Sequence, residues 1–93
     1  MLNMTFASKL EAGRAEELWL MQRAGLISDL QFQVKFKLSE RPKVSITIDF
    51  AYKQRETGAQ FYEDSKGYLT RDFRTKLAWL KKWRDIDVIL SGH

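Results

Sequence analysis

The sequence contains no cysteine, one histidine and one proline. Without cysteine, disulfides, thiol nucleophiles and thiolate metal ligands are all excluded. The single histidine, His93, stands at the last position and is expected to be a disordered end. A histidine-based metal site or histidine general base is therefore not expected. No apolar run approaches the ~20 residues that span a bilayer, and no charged-then-apolar segment opens the chain. A cytoplasmic setting is the expectation. Repeats and low-complexity stretches are lacking too, and the one proline, Pro42, falls in an expected turn. With 93 residues, 44% of them hydrophobic, the chain has enough for one domain and a small core. Its formal charge of +4 suits a polyanionic partner, but basicity alone identifies none.

The chain is organised around residues 44–66. Val44, Ile46, Ile48, Phe50 and Tyr52 alternate with Ser45, Thr47, Asp49 and Ala51. That is the period of a half-buried strand, with the apolar set on one face. Residues 54–58 are turn-like, and Gly58 can take a positive φ. A second strand is expected from Gln60 through Lys66. A loop over 55–58 sets Gln54 opposite Ala59, and therefore Asp49 opposite Asp64. Opposed side chains share a face with Cβ atoms ~5 Å apart, and Lys66 falls on that face as well. Two adjacent carboxylates repel, so something positive must offset them. The candidates are Lys66 itself or a divalent metal ion, which favours carboxylate oxygens. The plainer alternative is a solvated strand face carrying an ordinary Asp–Lys pair.

Upstream, Ser8 and Glu11 fit a capping box, which predicts a helix over 9–24 with Gly25 as its stop. Leu10, Leu18, Leu20, Met21 and Ala24 are expected on its apolar side. Arg14 and Glu17 fall within that stripe at pairing distance, and a carboxylate there needs a partner. A strand over 29–38 follows. Phe32, Val34, Phe36 and Leu38 are expected to face one way and Gln31, Gln33, Lys35 and Lys37 the other. The polar face either is solvated or continues the face of the carboxylates, with Gln33 near them. Downstream, Thr70 is an N-cap candidate for a helix over 71–83. Phe73, Leu77 and Leu80 form its core ridge, widened by Trp79 and Trp83. Arg71, Arg74, Lys81 and Lys82 gather on the opposite side, either as a solubilising face or as a contact for a nucleic-acid backbone. Lys76 projects among the apolar positions. Ile86 and residues 88–90 read as a last, buried strand beside the hairpin.

Ile48-Asp49 on one strand and Asp64-Ser65-Lys66 on the next resemble the core of the PD-(D/E)XK nuclease superfamily, with Ile48 where the name has proline. Residues 6–12, residues 23–30, Gln33, Phe36, Leu38, Asp49-Phe50 and residues 63–67 together resemble a small phage and prophage family of endonuclease-like proteins of that superfamily. The resemblance implies an α/β (α+β) domain with an αβββαβ restriction-endonuclease-like core, its mixed sheet carrying a helix on each side. It implies a metal-dependent endonuclease that hydrolyses phosphodiester bonds in DNA, duplex or branched, in a bacterial or phage-infected cell. Asp49 and Asp64 would hold Mg²⁺ or Mn²⁺. Glu11 would complete the shell, against its alternative role as a helix cap, with Glu17 in reserve. Lys66 would position water or stabilise charge on the phosphate, and Gln33 and Lys76 would support. A homodimer is implied as well, with no organic cofactor. Two alternatives stay open: a nucleic-acid-binding module of this fold without turnover, and a subunit docking on a larger phage or repair complex.

Overall fold

A computed structural model describes residues 4–66 and 68–92; His93, expected to be a disordered end, lies outside them. Two helices and a four-stranded mixed sheet follow in the order α1 (Lys9–Arg23), β1 (Ile27–Glu40), β2 (Lys43–Gln54), β3 (Gln60–Asp64), α2 (Arg71–Arg84) and β4 (Val88–Leu90). The fold class is the expected one. Strands lie in the order β1-β2-β3-β4, the first three antiparallel and β4 parallel to β3. Among the described residues no helix is long and apolar enough to cross a membrane.

Local signals set the element ends. The Ser8 hydroxyl accepts from the Glu11 N–H, and Thr70 does the same for Phe73 at the start of α2. α1 ends on Gly25 at φ 81°, with Leu26 N–H bonded to Met21 O and Gly25 N–H to Gln22 O, the paired bonds of a Schellman stop. Gly58 takes φ 76° in the β2–β3 loop, and the register below it pairs Lys53 with Gln60, Tyr52 with Phe61, Ala51 with Tyr62 and Phe50 with Glu63. This is the register that the loop length requires.

Phe61 and Tyr62 are neighbours in β3 and so point to opposite faces. Phe61 packs with Ala15 and Leu18 of α1, and Tyr62 packs with Leu80 of α2. The helices therefore cover opposite faces of the sheet. The expected single apolar face of β2 is corrected by this division. Phe50 and Tyr52 join the α1 cluster, whereas Ile46 and Ile48 join the α2 cluster. β1 divides in the same way, Phe32 with α1 and Phe36 and Leu38 with α2. The switch falls at Gln33, which takes φ 54°, between the pairs Phe32–Phe50 and Val34–Ile48. The β1–β2 register runs unbroken through this point, so a left-handed residue within the extended run, not an inserted one, accompanies the change of face.

Other expectations change for related reasons. The buried face of α1 is Glu11, Ala15 and Leu18, while Leu10 and Leu20 are exposed. Trp83 is exposed rather than part of the ridge, and β4 is a short edge strand with Ile89 exposed rather than a buried one. Arg14 does lie near Glu17, at 3.6 Å, but its close partner is Glu63 of β3, which is 1% exposed. Arg14 Nη2 donates to Glu63 Oε1 at 3.0 Å, Nε donates to Oε2, and the Tyr52 hydroxyl donates to Oε1 at 2.8 Å. Burial pushes the Glu63 carboxyl up, but the bonds from Arg14 and Tyr52 outweigh it and hold it below the usual range. Burial, then the adjacent Glu63, pushes the Tyr52 phenol up to about 12.

Removing one member of such a pair leaves the other charge buried alone. Arg14→Met should lower the unfolding free energy by roughly 3–5 kcal/mol, read by urea denaturation. Tyr52→Phe, which removes one of the three bonds to Glu63, should lower it by roughly 1–2 kcal/mol. An Arg14→Met protein as stable as wild type would mean that the pair does not hold α1 to β3.

Candidate active site

The main-chain ladder between β2 and β3 pairs Phe50 with Glu63, and at the next position side chains take over. The Asp49 N–H donates to Asp64 Oδ2 at 3.1 Å. In return, the Ser65 N–H donates to Asp49 Oδ2 at 3.0 Å, and the Ser65 hydroxyl reaches the same oxygen at 3.2 Å. Each carboxylate thus satisfies backbone donors that the separating strands leave behind. Both acids are buried, Asp64 completely.

Glu11 enters from the first turn of α1. Its N–H is capped by Ser8, but its carboxylate turns inward rather than back onto the cap. Gln33 Nε2 donates to Glu11 Oε2 at 2.8 Å and lies 3.4 Å from Asp49 Oδ1. One amide thus bridges a helix carboxylate and a strand carboxylate, from the residue at which β1 reverses its facing. Lys66 completes the group, with its ammonium 3.9 Å from Asp64 Oδ1 and 5.1 Å from the centre of the Phe73 ring. Glu11, Gln33, Asp49 and Lys66 line a pocket of about 260 Å³ together with residues 4–7. A larger cleft, about 530 Å³, lies at the Gln54 end of the hairpin, is mainly apolar and includes none of these acids.

Asp64 Oδ1 is buried and has no hydrogen-bond partner. Burial, then the neighbouring Asp49 charge, pushes the Asp64 carboxyl up to about 6. Glu11 is raised for the same two reasons, with Lys66 and Gln33 opposing. The site therefore has more negative charge than its one ammonium offsets, and a buried acceptor that no donor bonds, with the Lys66 ammonium 3.9 Å away. Among the described residues no group of three acids or histidines is close enough to hold a metal ion. The open donors are Asp64 Oδ1 and, beyond its long contact to Gln33, Asp49 Oδ1. Such a set suits Mg²⁺, which is commonly held by one or two carboxylates plus water and phosphate.

Several expected site residues lie elsewhere. Lys76 pairs with Asp72 at 3.2 Å along α2 and does not line the pocket. Glu17 is exposed on the outer side of α1. Lys81 is tied to Asp85 and Asp87. Arg71, Arg74 and Lys82 are exposed on α2. One contributor went unread in the sequence. Ser91 N–H donates to Asp64 O at 3.0 Å, which brings Gly92 against Lys66. A Cβ at Gly92 would lie 2.6 Å from the Lys66 carbonyl carbon. Only its glycine identity could have hinted at this approach.

Comparison with known proteins adds no relative: no protein family, no curated protein and no solved structure matches the chain.

Two outcomes follow from this geometry. The folded pKa of Asp64, about 6, is above its ordinary value of 3.8, so the folded state binds the extra proton between them. Stability in EDTA should fall as pH rises through that window, by up to roughly 3 kcal/mol. Asp64→Asn should flatten this slope and raise the melting temperature at pH 7.5, measured by calorimetry; equal slopes would contradict the assignment. Gly92→Ala should shift the backbone amide resonances of residues 64–66, and those around Leu10 at the start of α1, while leaving the β2–β3 loop resonances in place, read by two-dimensional NMR.

Proposed function

We propose that this chain is a metal-dependent nuclease of the PD-(D/E)XK type, hydrolysing phosphodiester bonds in DNA. The observation that carries the reading is the pairing of buried Asp49 and Asp64 across β2 and β3, with one orphaned acceptor and a lysine beside it. When bound there, Mg²⁺ or Mn²⁺ would supply charge neutralisation at the phosphate and acidify water for attack. Asp49 and Asp64 are the proposed ligands. Glu11 is the proposed third carboxylate, linked to Asp49 through Gln33.

The chain's own residues divide the remaining work. Gln33 fixes the orientation of the Glu11 and Asp49 carboxylates by donating to both. Ser65 holds Asp49 Oδ2 with two donors, which leaves Oδ1 as the available oxygen. The Lys66 ammonium borders the pocket and is partly solvated, so it can donate to water or to a phosphoryl oxygen as negative charge builds there. Water oxygen bonds to phosphorus, one phosphorus–oxygen ester bond breaks, and the products are a phosphate monoester and a hydroxyl. DNA as the polymer and a homodimer as the working unit rest on the family resemblance described above. The net charge of +4 agrees with a polyanionic substrate.

The test uses labelled duplex, branched and single-stranded DNA with Mg²⁺, with Mn²⁺ and with EDTA. Cleavage should require the cation, disappear in Asp49→Asn and Asp64→Asn, and fall by roughly 10²–10³-fold in Lys66→Ala. A second readout needs no substrate. Millimolar Mn²⁺ should raise the melting temperature of wild type and leave that of Asp64→Asn unchanged. If Mn²⁺ shifts neither protein and no DNA is cut, the nuclease reading fails.

A further inference from the structure

We propose that Tyr68, Arg71 and Arg74 form a subsite for an unpaired nucleotide next to the cleaved phosphate, so that the substrate is single-stranded or splayed where it enters. The proposal rests on the nuclease reading of the neighbouring site and assigns the nature of its substrate.

Tyr68, Leu69, Arg71 and Arg74 line a separate pocket of about 300 Å³. Tyr68 is 79% exposed, the most exposed large hydrophobic residue described. An aromatic ring left in water at that extent gains nothing for the fold and offers both faces to a planar ligand. Beside it, Arg71 and Arg74 are three positions apart on α2, one turn of the same helix face. Lys76 and Lys81 of the same helix are paired with aspartates, Lys76 with Asp72 and Lys81 with Asp85 and Asp87, while Lys82 and Arg84 lie at its far end. Among the described residues no acid forms an ion pair with Arg71 or Arg74.

This pocket follows the candidate active site directly in the chain, and Phe73 of α2 links the two. Lys66 precedes Tyr68 by two positions, and its ammonium lies 5.1 Å from the centre of the Phe73 ring, in the first turn of α2. Arg71 and Arg74 flank Phe73 in sequence. A backbone with one phosphate at Lys66 therefore has two guanidinium groups for the next phosphates and a ring on which the intervening base can stack. Guanidinium groups match phosphate geometry, and base–aromatic stacking tolerates any base. In a duplex the base faces are already stacked on their neighbours, so Tyr68 has nothing to receive. The chemistry thus fits an unpaired strand.

The experiment measures binding without cutting. Fluorescence anisotropy in EDTA follows a labelled oligothymidylate strand and a matching duplex bound to the intact protein. Tyr68→Ala should weaken single-strand binding by about fivefold or more while leaving duplex binding within about twofold, and Tyr68→Phe should bind as wild type. Arg71→Ala combined with Arg74→Ala should weaken both ligands and reduce the salt slope by about two. Arg55→Ala, a charge removed at the far end of the hairpin, should change neither. Unaltered single-strand affinity in Tyr68→Ala, or no binding to any strand, overturns the subsite. The two readings fail separately. Tyr68-dependent binding without metal-dependent cleavage keeps the subsite and removes the nuclease; cleavage with Tyr68-independent binding removes the subsite alone.

Discussion

The crossed hydrogen bonds from Asp49 N–H to Asp64 and from Ser65 N–H to Asp49 are the constraint on which the site depends. Where β2 and β3 part, each aspartate accepts an N–H from the opposite segment, Asp64 from Asp49 and Asp49 from Ser65. The strands can then separate without leaving buried donors unpaired. The same bonds hold two carboxylates together in a buried place, where their charges oppose each other and one oxygen has no donor. Structure and potential therefore come from one arrangement. It ends a β-ladder and also creates a place that favours a proton or a cation.

The rest of the fold converges on that point. The α1 cluster and the α2 cluster lie on opposite faces of the sheet, and β1 and β2 pass from one to the other at Gln33 and Asp49. A strand buried in two cores in succession needs a residue at which its facing reverses. Gln33, at positive φ, is that residue, and the reversal leaves a polar seam between the cores. Glu11 borders the seam from α1 and Lys66 from the end of β3. On the α1 face, Arg14 and Tyr52 bind Glu63, the residue adjacent to Asp64. Two successive acids of β3 are thus buried on opposite faces. One is matched by a guanidinium in direct contact, and the other has only a partly solvated ammonium at longer range. That difference in pairing separates a fully matched carboxylate from one whose charge is left largely unmet.

Charge on the outer surface is distributed with the same economy. Lys81 in the last turn of α2 pairs with two aspartates that follow the helix, and the end of β1 carries its own Lys37–Glu40 pair. These exposed pairs add little to stability.

Signals carried within a few residues were legible in the sequence. Ser8 and Thr70 marked the helix starts, Gly25 and Gly58 the turns, and the loop length fixed the hairpin register that sets Asp49 near Asp64. Each depends on backbone chemistry that neighbours alone decide. The division of the alternating apolar residues between two cores was not legible, because period two is the same whichever helix lies above. Nor was the choice of Glu63 over Glu17 as the close partner of Arg14, which needs β3 folded against α1. Glu11 capping nothing with its side chain, Gln33 joining two acids and Gly92 lying against Lys66 are likewise products of packing. The sequence by itself determined where elements begin, end and pair. Only the tertiary structure decided which charges meet, because burial and distance between remote segments are properties of the assembled chain.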